Sequence, residues 1–523
     1  MSRRLANVAA AFLLCACSVP FIDSPPQYGF ITITSAGQPL VGGSDDVTPT
    51  LDLKLTAEVA FRTSDVSAQL DGKTLQVSVD EGGAANAKVA PMPLGSSHHL
   101  AISIVGRAQG ITIDFSVIPP TEAQLAAHID PQAGLVVDAV FEDAPSQPAV
   151  AAALPGAAVK WGDPTHARIT WAGSPPPSIS LPAGLATARG SHLAAAVSLD
   201  LTNLQPGQLR RAVEPAPPSV SGTPLIAFVV DTAAGNTSLA LHEGAIHWVS
   251  PTGWQAQADG SVLGTPDQVA VDRAANAGLP IWPSLANDST NPAATTALLH
   301  SSQATGQLVG YVVQAVRSEG YSGINLDFEG MAGSDQAAFT AFVKSLATAL
   351  HAAGAKLMVD VVPHDASGIN QFSAAYDLPS LGAAADYLDL MAYDEHGDGG
   401  SPGPVAGFDW DESVLASSLP GLNPARTVLG IPLYARSWTN GTGGAASYSE
   451  AVSGALSTPG ARIDYDFSAE TPFVVSPDGQ TFTYFDDADS LARKMALVHE
   501  HGLAGVAAWR LGFEDPNFWS VFG

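Results

Sequence analysis

The segment Gly323 to Gly330, GINLDFEG, places an amide and two acids at every second position. Successive side chains of an extended strand point to opposite faces, so Ile324, Leu326 and Phe328 share one face and Asn325, Asp327 and Glu329 the other. Burying such a polar row is unfavourable unless each group is paired. Functional sites accept that cost, because neighbouring carboxyls push each other's pKa values apart. Asp327 and Glu329 are close enough to share a proton and to divide into acid and base roles. An edge strand with a solvated polar face would show the same alternation. The flanking glycines and the apolar stripe favour a buried strand that ends at a loop.

The elements that must position these groups follow from the rhythm of the chain. Short apolar runs recur at Leu225–Val230, Ile246–Val249, Leu279–Leu285, Ile324–Phe328, Leu357–Val362, Tyr387–Tyr393, Val428–Tyr434 and Leu503–Trp509. Helical periodicity fills the gaps, as at Asp267–Ala277, Ala304–Ser318, Asp335–Ala353 and Asp487–His501. Eight strands alternating with helices predict an α/β fold, a (β/α)8 TIM barrel over 225–523. A doubly wound open sheet competes, but no Gly-rich nucleotide-binding turn opens the region. The long gap before the last strand predicts a small β-rich insertion within Ser447–Tyr484.

Upstream, Leu51, Leu53 and Leu55, then Leu75, Val77 and Val79, then Leu100, Ile102 and Ile104, alternate with polar residues. This predicts a β-sandwich (Ig-like) domain over 25–118. A second small β-sandwich-like domain is expected over 119–213, where the alternation is poorer. Residues 214–224, EPAPPSVSGTP, read as an extended linker.

Active sites of such barrels lie at the C-terminal strand ends. Glu329 closes the fourth run, and His364 with Asp365 follows the fifth. The sixth ends in Met391-Ala392-Tyr393-Asp394-Glu395-His396; Tyr434 and Arg436 close the seventh, and Trp509 with Arg510 the eighth. Carboxylates beside a Tyr hydroxyl and a Trp suit a sugar ring, whose C–H faces stack on aromatics while its hydroxyls need acceptors. Each has a plainer reading: Trp509 as core packing, Tyr434 and Arg436 as an ion-pair network, His364 and His396 as surface or satisfied histidines. Asp486-Asp487-Ala488-Asp489 reads as a helix cap rather than a metal site. No zinc spacing, phosphate loop or Gly-x-Ser-x-Gly elbow occurs, so neither metal nor cofactor is expected.

The segments GINLDFEG, LMAYDEH, GIPLYARSW and AAWRLGFEDP, in this order, resemble the catalytic barrel of family 18 glycoside hydrolases. The pattern is that of the bacterial branch with spore-germination and cortex-lytic enzymes, and it covers Thr223 to Gly523. The family's chitinase signature carries aspartates where this chain has Ser322 and Asn325, while Asp327 and Glu329 are retained. The resemblance implies a retaining, substrate-assisted mechanism. In it Glu329 is the general acid and base, Asp327 orients the substrate acetamido group, and Tyr393 hydrogen-bonds its oxygen. Trp509 forms the floor beneath the sugar. Asp394, Tyr434 and Arg436 are supporting substrate contacts, and Asn325 positions Asp327 or contacts substrate.

The composition bears on partners. With 50 Asp plus Glu against 22 Lys plus Arg, nucleic acid and anionic lipid surfaces are disfavoured. Charged residues are only 14% of 523, which suits a folded chain and a neutral polymer as partner. Arg3 and Arg4 precede an apolar stretch from Leu5 to Leu14 that is too short to span a bilayer. It runs into Leu14-Cys15-Ala16-Cys17, which resembles a bacterial lipobox with Cys17 lipidated; simple signal cleavage is the alternative. Both cysteines lie in this segment, so no disulfide is expected beyond it. The expectation is an exported glycosidase, lipid-anchored to the bacterial cell envelope at its outer membrane or surface. It would cleave β-1,4 linkages in an N-acetylglucosamine polymer, chitin or peptidoglycan. A non-catalytic lectin on the same barrel, or an adhesin acting through the upstream β-domains, are the rivals.

Overall fold

The computed structural model describes residues 28–522 and resolves them into two compact units. The signal segment and Cys17 lie outside the described residues. The first unit holds the residues up to Pro120 and a short piece, Ala188–Ser191. It contains two five-stranded sheets. Asp52–Ala57 lies near the centre of one; Ser97–Ile104 and Ile111–Val117 pair in the other. Leu53, Leu55, Leu100, Ile102, Ile113 and Phe115 meet in one core, as their alternation requires. The run Leu75–Val79 behaves differently: only Lys73–Thr74 and Ser78–Val79 pair, and Leu75 and Val77 pack against the core from outside a strand.

The second unit holds 121–187 and everything from His192 onward. Its barrel strands are β1 (Leu225–Val229), β2 (Trp248–Pro251), β3 (Ser284–Ala286), β4 (Gly323–Asp327), β5 (Lys356–Val361), β6 (Tyr387–Leu390), β7 (Thr427–Pro432) and β8 (Gly505–Trp509). Neighbours pair in parallel from β3 round to β8 and on through β1 to β2. Closure between β2 and β3 runs through Val249, which donates to Pro280 O at 3.0 Å and accepts from Trp282 N at 2.9 Å. The expected helices form, with Asp267 and Asp487 as side-chain N-caps and Ser301 opening Ser302–Glu319. Inside the barrel, Ile226, Trp282, Met358, Val428 and Ala507 make an apolar plug below the strand ends.

Three regions differ from the sequence expectation. The insertion begins at Tyr434, not Ser447, with strands Tyr434–Thr439, Thr442–Ser447, Arg462–Asp466, Thr471–Val475 and Thr481–Tyr484. It also carries a helix, Tyr448–Leu456, opened by a Ser447–Glu450 capping box. Tyr434 and Arg436 therefore belong to the insertion's first strand and do not close β7.

The region 119–213 also differs: from Thr121 it packs in one compact unit with the barrel. Its five-stranded antiparallel sheet centres on Ala123–Asp130 and Gly134–Phe141. One face holds Leu125, Ala127, Val137 and Ala139. The other meets the insertion: Ala126 packs with Val452 and Ile463, and Val140 with Tyr465. A sheet covered on both faces shows no apolar–polar alternation, which accounts for the blurred pattern. The region 214–224, expected as a linker, begins as the end of a strand, Leu209–Glu214, that pairs with Ala123–Asp130.

Polar groups fix this sheet to the barrel. Arg211 makes a bidentate pair with Asp487, both bonds 2.7 Å, with its side chain 3% exposed. Asp138 accepts from Ile463 N at 2.9 Å and Asp130 from Gly460 N at 2.6 Å. Removing one partner of a buried pair strands the other charge. Arg211→Ala should therefore lower the unfolding free energy of this unit by about 3–5 kcal/mol in a urea titration. Its neighbour Arg210, half-exposed beside Asp200, should cost less than about 1 kcal/mol. Equal effects of the two substitutions would contradict the asymmetry.

Candidate active site

The chain turns out of β4 immediately after Asp327, and the turn is built around Glu329. Asn287, just beyond β3, accepts from Glu329 N at 2.8 Å and donates to Glu329 O at 2.7 Å. The Tyr376 hydroxyl donates to Phe328 O at 2.7 Å. Gly330 follows at φ 61°, where a Cβ would lie 2.5 Å from Ser289 O. The backbone bearing Glu329 is thus held from both sides, so its carboxyl projects from a fixed point into a cleft of about 620 Å³.

Seven of the eight barrel residues expected at the site line this cleft: Asp327, Glu329, Tyr393, Asp394, Tyr434, Arg436 and Trp509. Tyr393 stands close to Gly430, where a Cβ would approach its ring to 3.0 Å. Asp394 adopts φ 62°, an unfavourable backbone for a non-glycine residue. It is held there by the Tyr434 hydroxyl and by Arg436 Nη2 at 2.8 Å. Arg436 also donates to His396 O at 2.7 Å. The ion-pair network and the cleft lining are therefore the same residues. Trp509 packs edge-on against Phe228, 5.3 Å between ring centres, and keeps a partly exposed face on the cleft.

Asn325 is the exception. It is wholly buried and does not line the cleft, and its amide donates to Asp360 Oδ2 at 2.7 Å, not to Asp327. Neither a substrate contact nor a direct hold on Asp327 fits that position. His396 donates from its ring Nδ1 to Pro404 O at 3.0 Å, and His364 is kept below the usual histidine range by burial. Asp487 caps its helix, as expected, and pairs with Arg211.

Residues that the strand-end reading passed over are Asp360 on β5, Asp389 on β6, Asn287, Tyr376, and the aromatic pair Phe372 and Trp410 on the cleft wall. Asp360 and Asp389 carried a visible signal, since each is a lone acid inside an apolar run (KLMVDV and YLDL). Asn287 and Tyr376 carried none, because they act through backbone atoms of a segment distant in sequence.

Electrostatically the site is dominated by burial. Desolvation holds Asp327 well above the usual carboxylate range, with Asp360 and Glu329 adding to the shift. Asp360 and Asp389 are raised by the same cause. A carboxyl that keeps its proton can donate it, and Asp327 is hydrogen-bonded to Glu329 in that sense. Glu329 is itself raised, chiefly by burial, so it holds a proton above its ordinary range. Such a group can deliver a proton to a leaving oxygen and recover one from water. A folded pKa above the unfolded value means that the unfolded chain releases its proton first as pH rises. The stability linked to these groups is full below the unfolded value and is lost as pH rises through the folded one. The thermal midpoint of this unit should therefore fall as pH increases above about 4. Asp389→Asn, lacking one such group, should show a flatter decline in scanning calorimetry; a parallel decline would refute the assignment.

The geometry has counterparts in known proteins. The model of glycosyl hydrolases family 18 matches residues 251–514, just over half of the chain. A Bacillus subtilis protein named as a candidate sporulation-specific glycosylase is 32% identical over 232 residues, 42% of this chain and 54% of its own length. A cortical fragment-lytic enzyme of Bacillus subtilis is 26% identical over 278 residues, 51% of this chain and 64% of its own. The chain thus spans between about half and just under two thirds of these curated relatives. Among solved structures, a chitinase from Chromobacterium violaceum superimposes with a TM-score of 0.54 at 31% identity, covering 58% of this chain and 98% of its own.

Proposed function

The chain belongs to glycosyl hydrolases family 18, and from that premise we propose that it is a glycosidase cleaving β-1,4 linkages in a polymer of N-acetylglucosamine. The observation that carries the reading is Glu329, a carboxyl that lines an aromatic-walled cleft beside Asp327 and that burial holds above its ordinary range. Glu329 protonates the glycosidic oxygen as the bond to the anomeric carbon breaks. The carbonyl oxygen of the sugar's own N-acetyl group attacks that carbon, giving an oxazolinium ion, so no enzyme nucleophile is required. Asp327 accepts from the acetamido N–H through the oxygen that does not carry its proton, and so orients the group for attack. Tyr393 donates to the acetamido oxygen and holds it in line for attack. Glu329, now ionised, takes a proton from the water that opens the ring, and the anomeric configuration is retained.

Trp509 supplies the apolar surface under the sugar, while Asp394, Tyr434 and Arg436 form one bonded group at the cleft wall suited to sugar hydroxyls. Chitin, chitooligosaccharides and the glycan of peptidoglycan all present the required acetamido group. The N-terminal segment adds export and attachment to the cell envelope through a lipid on Cys17. Cys17→Ala should then abolish incorporation of labelled palmitate, and persistence of the label would exclude that anchor.

Hydrolysis of chitooligosaccharides and of purified peptidoglycan by the mature protein, beside Glu329→Gln, tests the catalytic reading. The substitution nearly preserves shape but removes the proton, and kcat should drop on the order of 10²–10⁴-fold. Wild-type kcat should fall as pH rises through the raised Glu329 value. Negligible cleavage of both polymers by both proteins, with glycan binding retained, would make the barrel a lectin.

A further inference from the structure

Below the cleft lie two carboxyls that the hydrolytic scheme leaves unused. Asp360 on β5 and Asp389 on β6 face each other in the parallel register, 2% and 0% exposed. Asn325 on β4 holds one oxygen of Asp360 at 2.7 Å. The other Asp360 oxygen, both Asp389 oxygens and Asp327 Oδ1 are buried without a hydrogen-bond partner. Asp360 nonetheless reaches the cleft beside Asp327 and Glu329. The three strands therefore carry a continuous column of carboxyls from Asp389 through Asp360 and Asp327 to Glu329.

The charges acting on Asp327, Asp360 and Asp389 are, among the described residues, all carboxylates. Around Asp360 stand Asn325, Asp327 and Glu329 from β4 and its turn, Asp389 and Tyr393 from β6 and its end, and Tyr376 from the loop after β5. Two close carboxyls without a cation hold one proton more readily than none. The Asn325 amide donor favours the charged form of Asp360, and a charge there favours the protonated form of Asp327. The protonated form is the one that donates to Glu329. Here the amide stands at 325 and the carboxyl on the next strand, joined by the same single hydrogen bond that the reverse arrangement would make.

We infer that Asp360, anchored by Asn325 and backed by Asp389, is a positioning residue that fixes the charge and orientation of Asp327 during hydrolysis. The inference rests on the glycosidase reading above.

The test compares Asp360→Asn, the double variant Asn325→Asp/Asp360→Asn, and Glu329→Gln with wild type, using an aryl chitobioside and peptidoglycan as substrates. Folding is checked by thermal unfolding. Asp360→Asn should lower kcat on the order of 10–10²-fold with KM little changed. Without a negative neighbour, both Asp327 and Glu329 lose their protons sooner, so the alkaline limb of kcat should move to lower pH. The double variant restores a carboxyl in the same hydrogen bond and should recover the limb and most of kcat. If wild type is active, Glu329→Gln is dead and Asp360→Asn keeps wild-type kcat and pH profile, the positioning role is wrong while the glycosidase reading stands. If wild type and Glu329→Gln are equally inert, both fall. Should Asp360→Asn fail to fold, the double variant decides: a wild-type pH limb supports the role, and a folded but inactive double variant overturns it.

Discussion

Everything at the mouth of this barrel depends on carboxyls buried against one another with, among the described residues, no cation between them. Asp327, Asp360 and Asp389 sit on the inward face of three neighbouring strands, and below them the interior is an apolar plug. Water cannot reach them from that side, so their charged forms are unfavourable and their protons are retained. A retained proton turns an acceptor into a donor. That conversion lets a carboxyl on β4 hydrogen-bond another carboxyl, Glu329, two residues further on.

Such chemistry needs rigid placement, and the fold supplies it from unrelated parts of the chain. Asn287 and Tyr376 hold the backbone on either side of Glu329. The insertion between β7 and β8 brings Tyr434 and Arg436, which hold Asp394 in its unfavourable backbone conformation. The insertion is covered in turn by the five-stranded sheet centred on 123–141, through Asp130, Asp138 and Ala126. A sheet that the sequence suggests as a separate domain is, physically, the far wall of the element that supports the cleft.

Periodicity and residue chemistry were sufficient to locate β4, the other seven strands and most of the helices, because each depends on local spacing: alternation within a strand, Asp267 or Asp487 ahead of a helix, glycine after it. The lone acids Asp360 and Asp389 were equally visible, since an acid in an apolar run is the same signal that singled out Asp327. Their partners were not. Which oxygen Asn325 would hold depends on the register of β4 against β5, and one residue of slip would turn its amide to the other face.

The sequence by itself determined the barrel class, the strand that carries Asp327 and Glu329, and the aromatic and acidic character of the strand ends. Tertiary structure alone decided that Asn325 serves Asp360 and not the substrate, that Tyr434 starts an insertion, and that residues from Thr121 onward close over it. The division has one physical reason. Backbone periodicity is written in neighbouring residues, whereas desolvation and hydrogen-bond partnership are set by groups dozens to hundreds of positions away, brought together only when the sheet closes.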